Sequence, residues 1–96
     1  MKRILLIDGH PDPDPGRFIH ALAQAYADGA TVAGHEVRRL DLATMDIPFL
    51  RTRSDWTDAA PPPAIGDAQA DIHWAEHLVI LYPLWLGDMP AVLKAF

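Results

Sequence analysis

The sequence contains no cysteine among its 96 residues. A disulfide framework and a thiolate metal site are therefore both excluded. The N-terminal stretch also has little apolar length, since its apolar run before Asp8 is only four residues long, 4–7. Such a stretch is too short for the core of a signal peptide or for a membrane span. These absences predict a soluble, cytoplasmic protein with no membrane insertion.

A surplus of basic residues is missing too. Eight Lys and Arg residues stand against 13 Asp and Glu residues, which gives a net charge of −5. Nucleic-acid binders usually carry a basic face, so we expect no nucleic-acid partner. Half of the residues are hydrophobic and 22% are charged, a composition typical of folded proteins. At this length the chain forms at most one small domain.

Strand-like and helix-like patterns alternate along the chain. Residues 3–7 are a short apolar run that ends at Gly and Pro, which is typical of a buried strand. Residues 17–33 repeat apolar side chains at helical spacing, and Gly34 suits the C-terminal cap. The predicted apolar stripe comprises Phe18, Leu22, Ala25 or Tyr26, and Ala30 or Val32. Residues 35–42 suit an edge strand, parallel to the first because a helix connects the two.

The remainder of the chain predicts another helix, a strand and the start of a helix. Residues 43–63 are irregular and end in three prolines, which are tolerated in the first turn of a helix over residues 64–75. That helix would bury Ile65, Ala68 and Ile72. Residues 77–82 are continuously apolar, which predicts a central strand covered on both faces. Residues 89–96 begin a further helix. The fold class is therefore α/β, a doubly wound parallel sheet truncated after strand 3 and the start of the next helix.

Two of the predicted strands run straight into loops with the composition of ligand sites. We call residues 8–16 the first loop and residues 83–90 the second loop. In open α/β sheets, ligands bind beyond the carboxyl ends of the strands, where the strand order reverses. The two loops are therefore expected to form two sides of one crevice.

The first loop has two interpretations. The amides of Gly16, Arg17 and Phe18 lie at a helix N-terminus, which attracts anions, and Arg17 and His10 could add hydrogen bonds to a phosphate. Alternatively, Asp12 and Asp14 simply cap the helix. The loop lacks Gly-Lys-Ser/Thr and Gly-x-Gly-x-x-Gly, so it is neither a P-loop nor the dinucleotide fingerprint.

The second loop offers Trp85 and two prolines next to Tyr82. Such rigid, aromatic walls suit a flat, conjugated ligand. The alternative, which the local sequence by itself favours, is that Trp85 packs in the core or at a dimer interface. His73 and His77 stand four residues apart but have no third ligand at suitable spacing. We therefore predict no metal site, and the sequence assigns no catalytic residue.

Taken in order along the chain, these motifs resemble the flavodoxin-like NAD(P)H dehydrogenase (quinone) family. The likeness is carried by Gly9-His10-Pro11 after strand 1 and by Pro83-Leu84-Trp85 followed by Met89-Pro90-Ala91 after strand 3. It continues through residues 18–22, 34–37, 41–42, 45–46 and 75–82. The resemblance covers only the N-terminal half of a family member. It implies that residues 1–96 are the N-terminal part of a single flavodoxin-like domain.

The resemblance also implies a bound cofactor, FAD or FMN, with NAD(P)H as reductant and a quinone or similar small molecule as acceptor. The first loop would face phosphate or ribityl and the second loop the flavin ring. The cofactor-binding residues implied are His10, Asp14, Gly16, Arg17, Phe18, Pro83, Leu84, Trp85 and Leu86. Family members often have Ser or Thr where this chain has Pro15 and Gly16, so Arg17 or backbone amides would have to replace a hydroxyl contact.

The function implied is a flavin-dependent NAD(P)H:quinone oxidoreductase that transfers a hydride through the flavin to a quinone. The full-length protein would be a homodimer. Because the chain resembles only half of a family member, we expect the fragment alone to have an incomplete flavin site. The alternative is a flavin-binding regulatory ancillary subunit of a potassium-efflux system, which would act through a membrane-protein partner.

Overall fold

A computed structural model describes residues 1–96 as three parallel strands with helices on both faces of the sheet. No helix in it combines the length and apolarity needed to cross a membrane. A single 3₁₀ turn, Leu42–Thr44, follows the second strand. The remaining elements in chain order are β1 (Arg3–Asp8), α1 (Phe18–Val32), β2 (Glu36–Asp41), α2 (Arg53–Thr57), α3 (Pro63–Trp74), β3 (His77–Leu81) and α4 (Ala91–Ala95).

The central strand of the sheet is β1, and the strand order is β2-β1-β3 with both pairings parallel. Its four aliphatic residues, Ile4 to Ile7, are buried. Burying a side chain of this size contributes about 1.5–3 kcal/mol, so this short run is the main apolar anchor of the sheet. The α/β class and the parallel sheet expected from the sequence are confirmed, as is the edge position of β2.

The prediction that β3 is central and covered on both faces is wrong for this chain. β3 pairs only with β1, and Leu78 and Ile80 are nearly half exposed, at 46% and 48%. A continuous apolar run is typical of strands buried on both faces. Leu78 and Ile80 are paired with the buried Leu5 and Ile7, but the elements that cover those two residues leave the β3 side chains half exposed.

The two faces of the sheet are packed differently. On one face, Leu5 and Ile7 form a core with Leu42, against which Leu93 and Phe96 pack. On the other face lies α1, whose only buried residue is Ala23. The predicted stripe of large side chains on α1 is wrong, because Phe18 is 74% exposed and Leu22 and Tyr26 are more than a third exposed. The small Ala23, rather than a large side chain, faces the sheet.

Local chemistry explains how α1 ends. Gly34 has a positive φ of 91°, and the amides of Gly34 and His35 donate to the carbonyls of Thr31 and Ala30. This pattern is a Schellman cap, so the predicted glycine cap is confirmed.

The segment predicted as irregular, residues 43–63, contains the short helix α2. Thr52 and Asp55 form a capping box, in which the Thr52 hydroxyl accepts from the Asp55 amide and Asp55 accepts from the Thr52 amide. Hydrogen bonds from the amides of Arg51 and Thr52 lower the pKa of Asp55. The prediction missed this helix because it is a single turn held by its cap rather than by an apolar stripe.

Gly9 links the exit of β1 to the end of β3, because its amide donates to the Leu81 carbonyl at 2.7 Å. A Cβ at this position would lie 3.0 Å from both the Leu81 oxygen and Leu93 Cδ2. Any larger residue must therefore push these two strand ends apart.

We expect Gly9→Ala to lower the free energy of unfolding by about 1–3 kcal/mol, because it overpacks this contact. Gly29→Ala is the matched control. A Cβ at Gly29 meets nothing within 4 Å, so alanine should stabilise α1 by about 0.5–1 kcal/mol. Urea denaturation of both variants measures the difference. Equal effects would contradict the close approach at Gly9.

Candidate functional site

The site lies where the direction of the chain across the sheet reverses. From β1 the chain crosses to β2 on one side, and it then returns past β1 to place β3 on the other side. The carboxyl ends of β1 and β3 are therefore neighbours across a switch point, where loops diverge and leave a crevice. The first loop leaves β1 there and the second loop follows β3.

The two loops touch each other at His10 and Trp85. Their ring centroids are 5.4 Å apart and the rings are nearly perpendicular, at 86°. Edge-to-face contacts at this separation are favourable for aromatic rings. His10 is buried, whereas Trp85 is 46% exposed, so the indole rests on the first loop and keeps one side toward solvent. Trp85 is thus neither a core residue nor detached from the first loop.

The first loop is folded by a series of side-chain-to-backbone hydrogen bonds. Asp8 accepts from the His10 amide at 3.1 Å, Asp12 from the Asp14 amide at 2.9 Å, and Asp14 from the Gly16 amide at 2.9 Å. Each bond spans two residues, the geometry of an Asx turn. The interpretation of Asp12 and Asp14 as caps of α1 is wrong, because Arg17 is the N-cap residue and no side chain caps it. The aspartates instead shape the loop.

The predicted anion donors are only partly free. The Gly16 amide is bonded to Asp14 Oδ1, and the Arg17 amide donates to the Asp14 carbonyl at 3.2 Å, so the prediction that they point outward is wrong. The amides of Phe18 and Ile19 have no partner within the protein. They are the unpaired donors expected in the first turn of a helix.

Arg17 is held by the same loop. Its Nη2 lies 2.8 Å from Asp12 Oδ2, and its Nε donates to the same oxygen at 2.9 Å. The hydrogen bond from the Asp14 amide, followed by that from Arg17, lowers the pKa of Asp12. The guanidinium side chain is about half exposed. An exposed pair of this kind contributes only about 0–1 kcal/mol, so an anion could compete for Arg17.

Behind the first loop lies a buried network of charges. The Asp8 carboxylate has no solvent exposure, and its Oδ2 lies 2.5 Å from His20 Nδ1 and 3.0 Å from Arg39 Nη2. Arg39 Nε in turn donates to Asp41 at 2.9 Å. The network joins the ends of β1 and β2 to the first turn of α1. A buried carboxylate requires such partners, because desolvation of an unpaired charge is costly.

His20 uses both of its ring nitrogens in this network. Nε2 lies 2.6 Å from the Asp12 carbonyl oxygen, while Nδ1 faces Asp8. Both partners can only accept, so a ring that satisfies both must carry two protons and a positive charge. The hydrogen bond to Asp8, followed by that to the Asp12 carbonyl, raises the pKa of His20. His20 is a partly buried residue of α1, and these two hydrogen bonds make it part of the site.

Three of these residues also have the spacing of possible metal ligands. Ligand atoms of Asp8, His20 and Asp41 lie within 4.8 Å of one another. Arg39 already bridges Asp8 and Asp41, and His20 points a protonated nitrogen at Asp8. The positive charge that these carboxylates need is therefore supplied by the chain itself. His73 and His77, considered above, lie at the end of α3 and the start of β3.

The second loop turns sharply beside Trp85. Trp85 and Asp88 exchange two backbone hydrogen bonds, at 2.9 and 3.0 Å, around Leu86 and Gly87. Both central residues have positive φ, 52° and 81°, which defines a type I′ turn. Leu86 adopts a conformation that costs a non-glycine residue about 1 kcal/mol or more, and its side chain is fully exposed.

The predicted cofactor-binding residues therefore fall into two groups. His10, Asp14, Gly16 and Arg17 lie on the first loop or just after it, with Phe18 exposed at the start of α1. The second loop carries Pro83, Leu84, Trp85 and Leu86. The structure brings the two loops together at the rings of His10 and Trp85.

Sequence reasoning missed Asp8, Gly9, His20 and Arg39 as members of the site. The sequence did contain one indication of this network. Asp8 follows four apolar residues, so a charged residue stands at the end of a predicted buried strand. Asp8 and Asp41 are paired across the two parallel strands, and Arg39 bonds to both carboxylates. This pairing is visible only in the structure.

The fold and the crevice define an open, doubly wound α/β protein with a site at the switch point. Residues 2–96 match the family model described as flavodoxin-like fold. The chain belongs to this flavodoxin-like family.

Known proteins similar to the chain carry oxidoreductase names. A curated relative, the ribosyldihydronicotinamide dehydrogenase-like protein traD of Penicillium crustosum, is 28% identical over 98% of this chain and 42% of its own length. The NAD(P)H:quinone oxidoreductase from Methanothermobacter marburgensis superposes with a TM-score of 0.79 at 23% identity. The alignment covers 98% of this chain and 50% of that one.

An FMN-dependent NADH-azoreductase from Bacillus anthracis, solved in complex with FMN, has a TM-score of 0.71 and 16% identity. The match covers 99% of this chain and 53% of that chain. The structural likenesses establish the fold. The chain spans about half the length of these three proteins or less.

We expect Asp8→Asn to lower the free energy of unfolding by about 2 kcal/mol or more, because it removes the buried partner of Arg39 and His20. Asp41→Asn is the matched control. The Asp41 side chain is 40% exposed, so its loss should cost less than about 1 kcal/mol. Urea denaturation near neutral pH measures both values. Equal losses would show that Asp8 does not organise the network.

Proposed function

We propose that the chain is the N-terminal part of a flavin-dependent NAD(P)H:quinone oxidoreductase. The observation that carries this proposal is the contact between His10 and Trp85, which joins the two loops beyond the carboxyl ends of β1 and β3. In flavodoxin-like sheets this switch point is where FMN binds. The names of the similar proteins, which include quinone and FMN, agree with the proposal.

The residues present fit the phosphate end of a flavin nucleotide. The unpaired amides of Phe18 and Ile19 would donate to phosphate oxygens at the positive end of α1. His10 Nδ1 accepts from the Asp12 amide at 3.0 Å, so the proton of a neutral His10 ring lies on Nε2. Arg17 would exchange its exposed contact with Asp12 for charge-assisted bonds of about 1.5–3 kcal/mol each. These groups replace the hydroxyl that Pro15 and Gly16 do not offer.

The second loop fits the ring end. Trp85 presents an indole held in place by His10 and by the type I′ turn, and Leu84 and Leu86 are exposed beside it. An apolar wall of this kind would bind a planar ring and exclude water from it. A bound flavin, FMN or FAD, would supply hydride transfer from NAD(P)H to a quinone, and the protein would position it.

The proposal extends to the full-length protein as a cytoplasmic homodimer. Phe49, Leu50 and Trp56 are each at least 59% exposed, which provides apolar surface for a contact between copies. The remaining part of the flavin site would come from sequence outside residues 1–96, since the chain spans only about half of the quinone oxidoreductase that it resembles.

Trp85→Ala in the full-length protein should weaken FMN or FAD binding by about tenfold, because it removes the indole wall worth about 1.5 kcal/mol. Trp74→Ala is the control, since Trp74 lies at the end of α3, where its ring packs against Arg38 of β2. Flavin absorbance and fluorescence titrations measure affinity, and NAD(P)H oxidation with a quinone measures turnover.

Retained yellow flavin together with quinone reduction would support the enzyme. Tight flavin binding without turnover would favour the regulatory ancillary subunit instead. A full-length protein that binds neither FMN nor FAD would contradict both functions.

A further inference from the structure

We infer that His20 is a positioning residue for the cofactor: as an imidazolium it holds the first loop in its ligand-accepting form, so that flavin affinity depends on the protonation of His20. This inference rests on the proposed function, because it concerns the same crevice. His20 itself is not placed against the flavin. It acts through Asp12, and Asp12 acts through the rest of the loop.

The geometry places His20 at the junction of three parts of the site. It belongs to the first turn of α1, its Nδ1 meets Asp8 at the end of β1, and its Nε2 meets the Asp12 carbonyl in the middle of the first loop. Its side chain is only 12% exposed. The ring therefore ties the loop to the strand and to the helix at once.

Asp12 is the residue through which this tie reaches the ligand-facing groups. Its amide donates to His10 Nδ1, its Oδ1 accepts from the Asp14 amide, and its Oδ2 holds Arg17. His10 in turn supports the Trp85 indole. Displacement of the Asp12 backbone would thus disturb both the phosphate-facing and the ring-facing sides of the crevice.

The two hydrogen bonds of His20 need a proton on each ring nitrogen. A neutral imidazole has one donor and one acceptor, so its unprotonated nitrogen would face either the Asp8 carboxylate or the Asp12 carbonyl, both of which only accept. One of the two bonds is then lost and two lone pairs oppose each other. Deprotonation of His20 therefore breaks either its bond to the Asp12 carbonyl in the first loop or its bond to the buried Asp8 carboxylate.

Charged groups from every neighbouring element act on this proton. Asp8 on β1 and Asp41 on β2 favour the imidazolium, whereas Arg39 on β2 bonds to the same Asp8 oxygen and competes with it. The His10 ring lies 5.2 Å away, centroid to centroid, and the nearby Asp12 carboxylate is neutralised by Arg17.

The direction of the pH effect follows. The pKa of His20 is raised in the folded protein, chiefly by the hydrogen bond to Asp8. Its stabilising contribution is therefore complete below the unfolded value of about 6.5 and is lost as the pH rises through the folded value. Flavin affinity should decline over the same interval.

The test is a titration of the full-length protein with FMN from about pH 6 to about pH 9, the interval in which a perturbed histidine titrates. Three proteins are compared: the unaltered one, His20→Gln, and His73→Gln as the control on the exposed end of α3. The phosphate of FMN itself titrates near pH 6, so the His20→Gln profile supplies the reference.

We expect the affinity of the unaltered protein and of His73→Gln to fall about tenfold with rising pH, the effect of losing one charge-assisted hydrogen bond. His20→Gln should bind more weakly below neutral pH and show no such fall. Identical pH profiles for His20→Gln and the unaltered protein would overturn the inference.

A second measurement needs neither the variant nor the cofactor. Nitrogen-15 NMR of the unaltered protein should show both His20 ring nitrogens protonated at neutral pH, and the amide signals of Asp12, Asp14 and His10 should titrate together with the ring. Amide signals that stay constant while His20 titrates would overturn the positioning role. If neither FMN nor FAD binds at any pH, the proposed function is contradicted, and the amide signals then decide by themselves whether His20 positions the first loop.

Discussion

The fully buried carboxylate of Asp8 at the end of the central strand is the interaction on which the architecture of the site depends. It accepts from the His10 amide, from His20 and from Arg39, and so joins the first loop, α1 and β2. Its cost of burial is offset by these partners, because a carboxylate left alone in such a place would be strongly destabilising. The first loop is consequently built on a fixed charge rather than on an apolar core.

The second loop is positioned beside the first by backbone interactions. The Gly9 amide of the first loop donates to Leu81 at the end of β3, just before the second loop begins, and the type I′ turn at Leu86 and Gly87 presents Trp85 to His10. One loop is thus ordered by hydrogen bonds to carboxylates and the other by backbone geometry. Their contact leaves the amides of Phe18 and Ile19 and one side of the indole available within a single crevice.

Local patterns in the sequence were sufficient to predict the strands, the main helices and the Gly34 cap, because each depends on neighbouring residues. They failed where a third partner decides the outcome. The apolar run of β3 could not reveal that this chain leaves Leu78 and Ile80 half exposed, and the large side chains of α1 hid the role of Ala23. The sequence around His20 did not indicate its role, because its two acceptors, on Asp8 and Asp12, come from different parts of the fold.

A crystal structure of the full-length protein with bound FMN would test the central claim most directly. We expect the isoalloxazine ring against Trp85 and the phosphate at the amides of Phe18 and Ile19, with Asp8, His20 and Arg39 still bonded to one another. A flavin bound elsewhere, or a phosphate that reaches neither amide, would contradict the account.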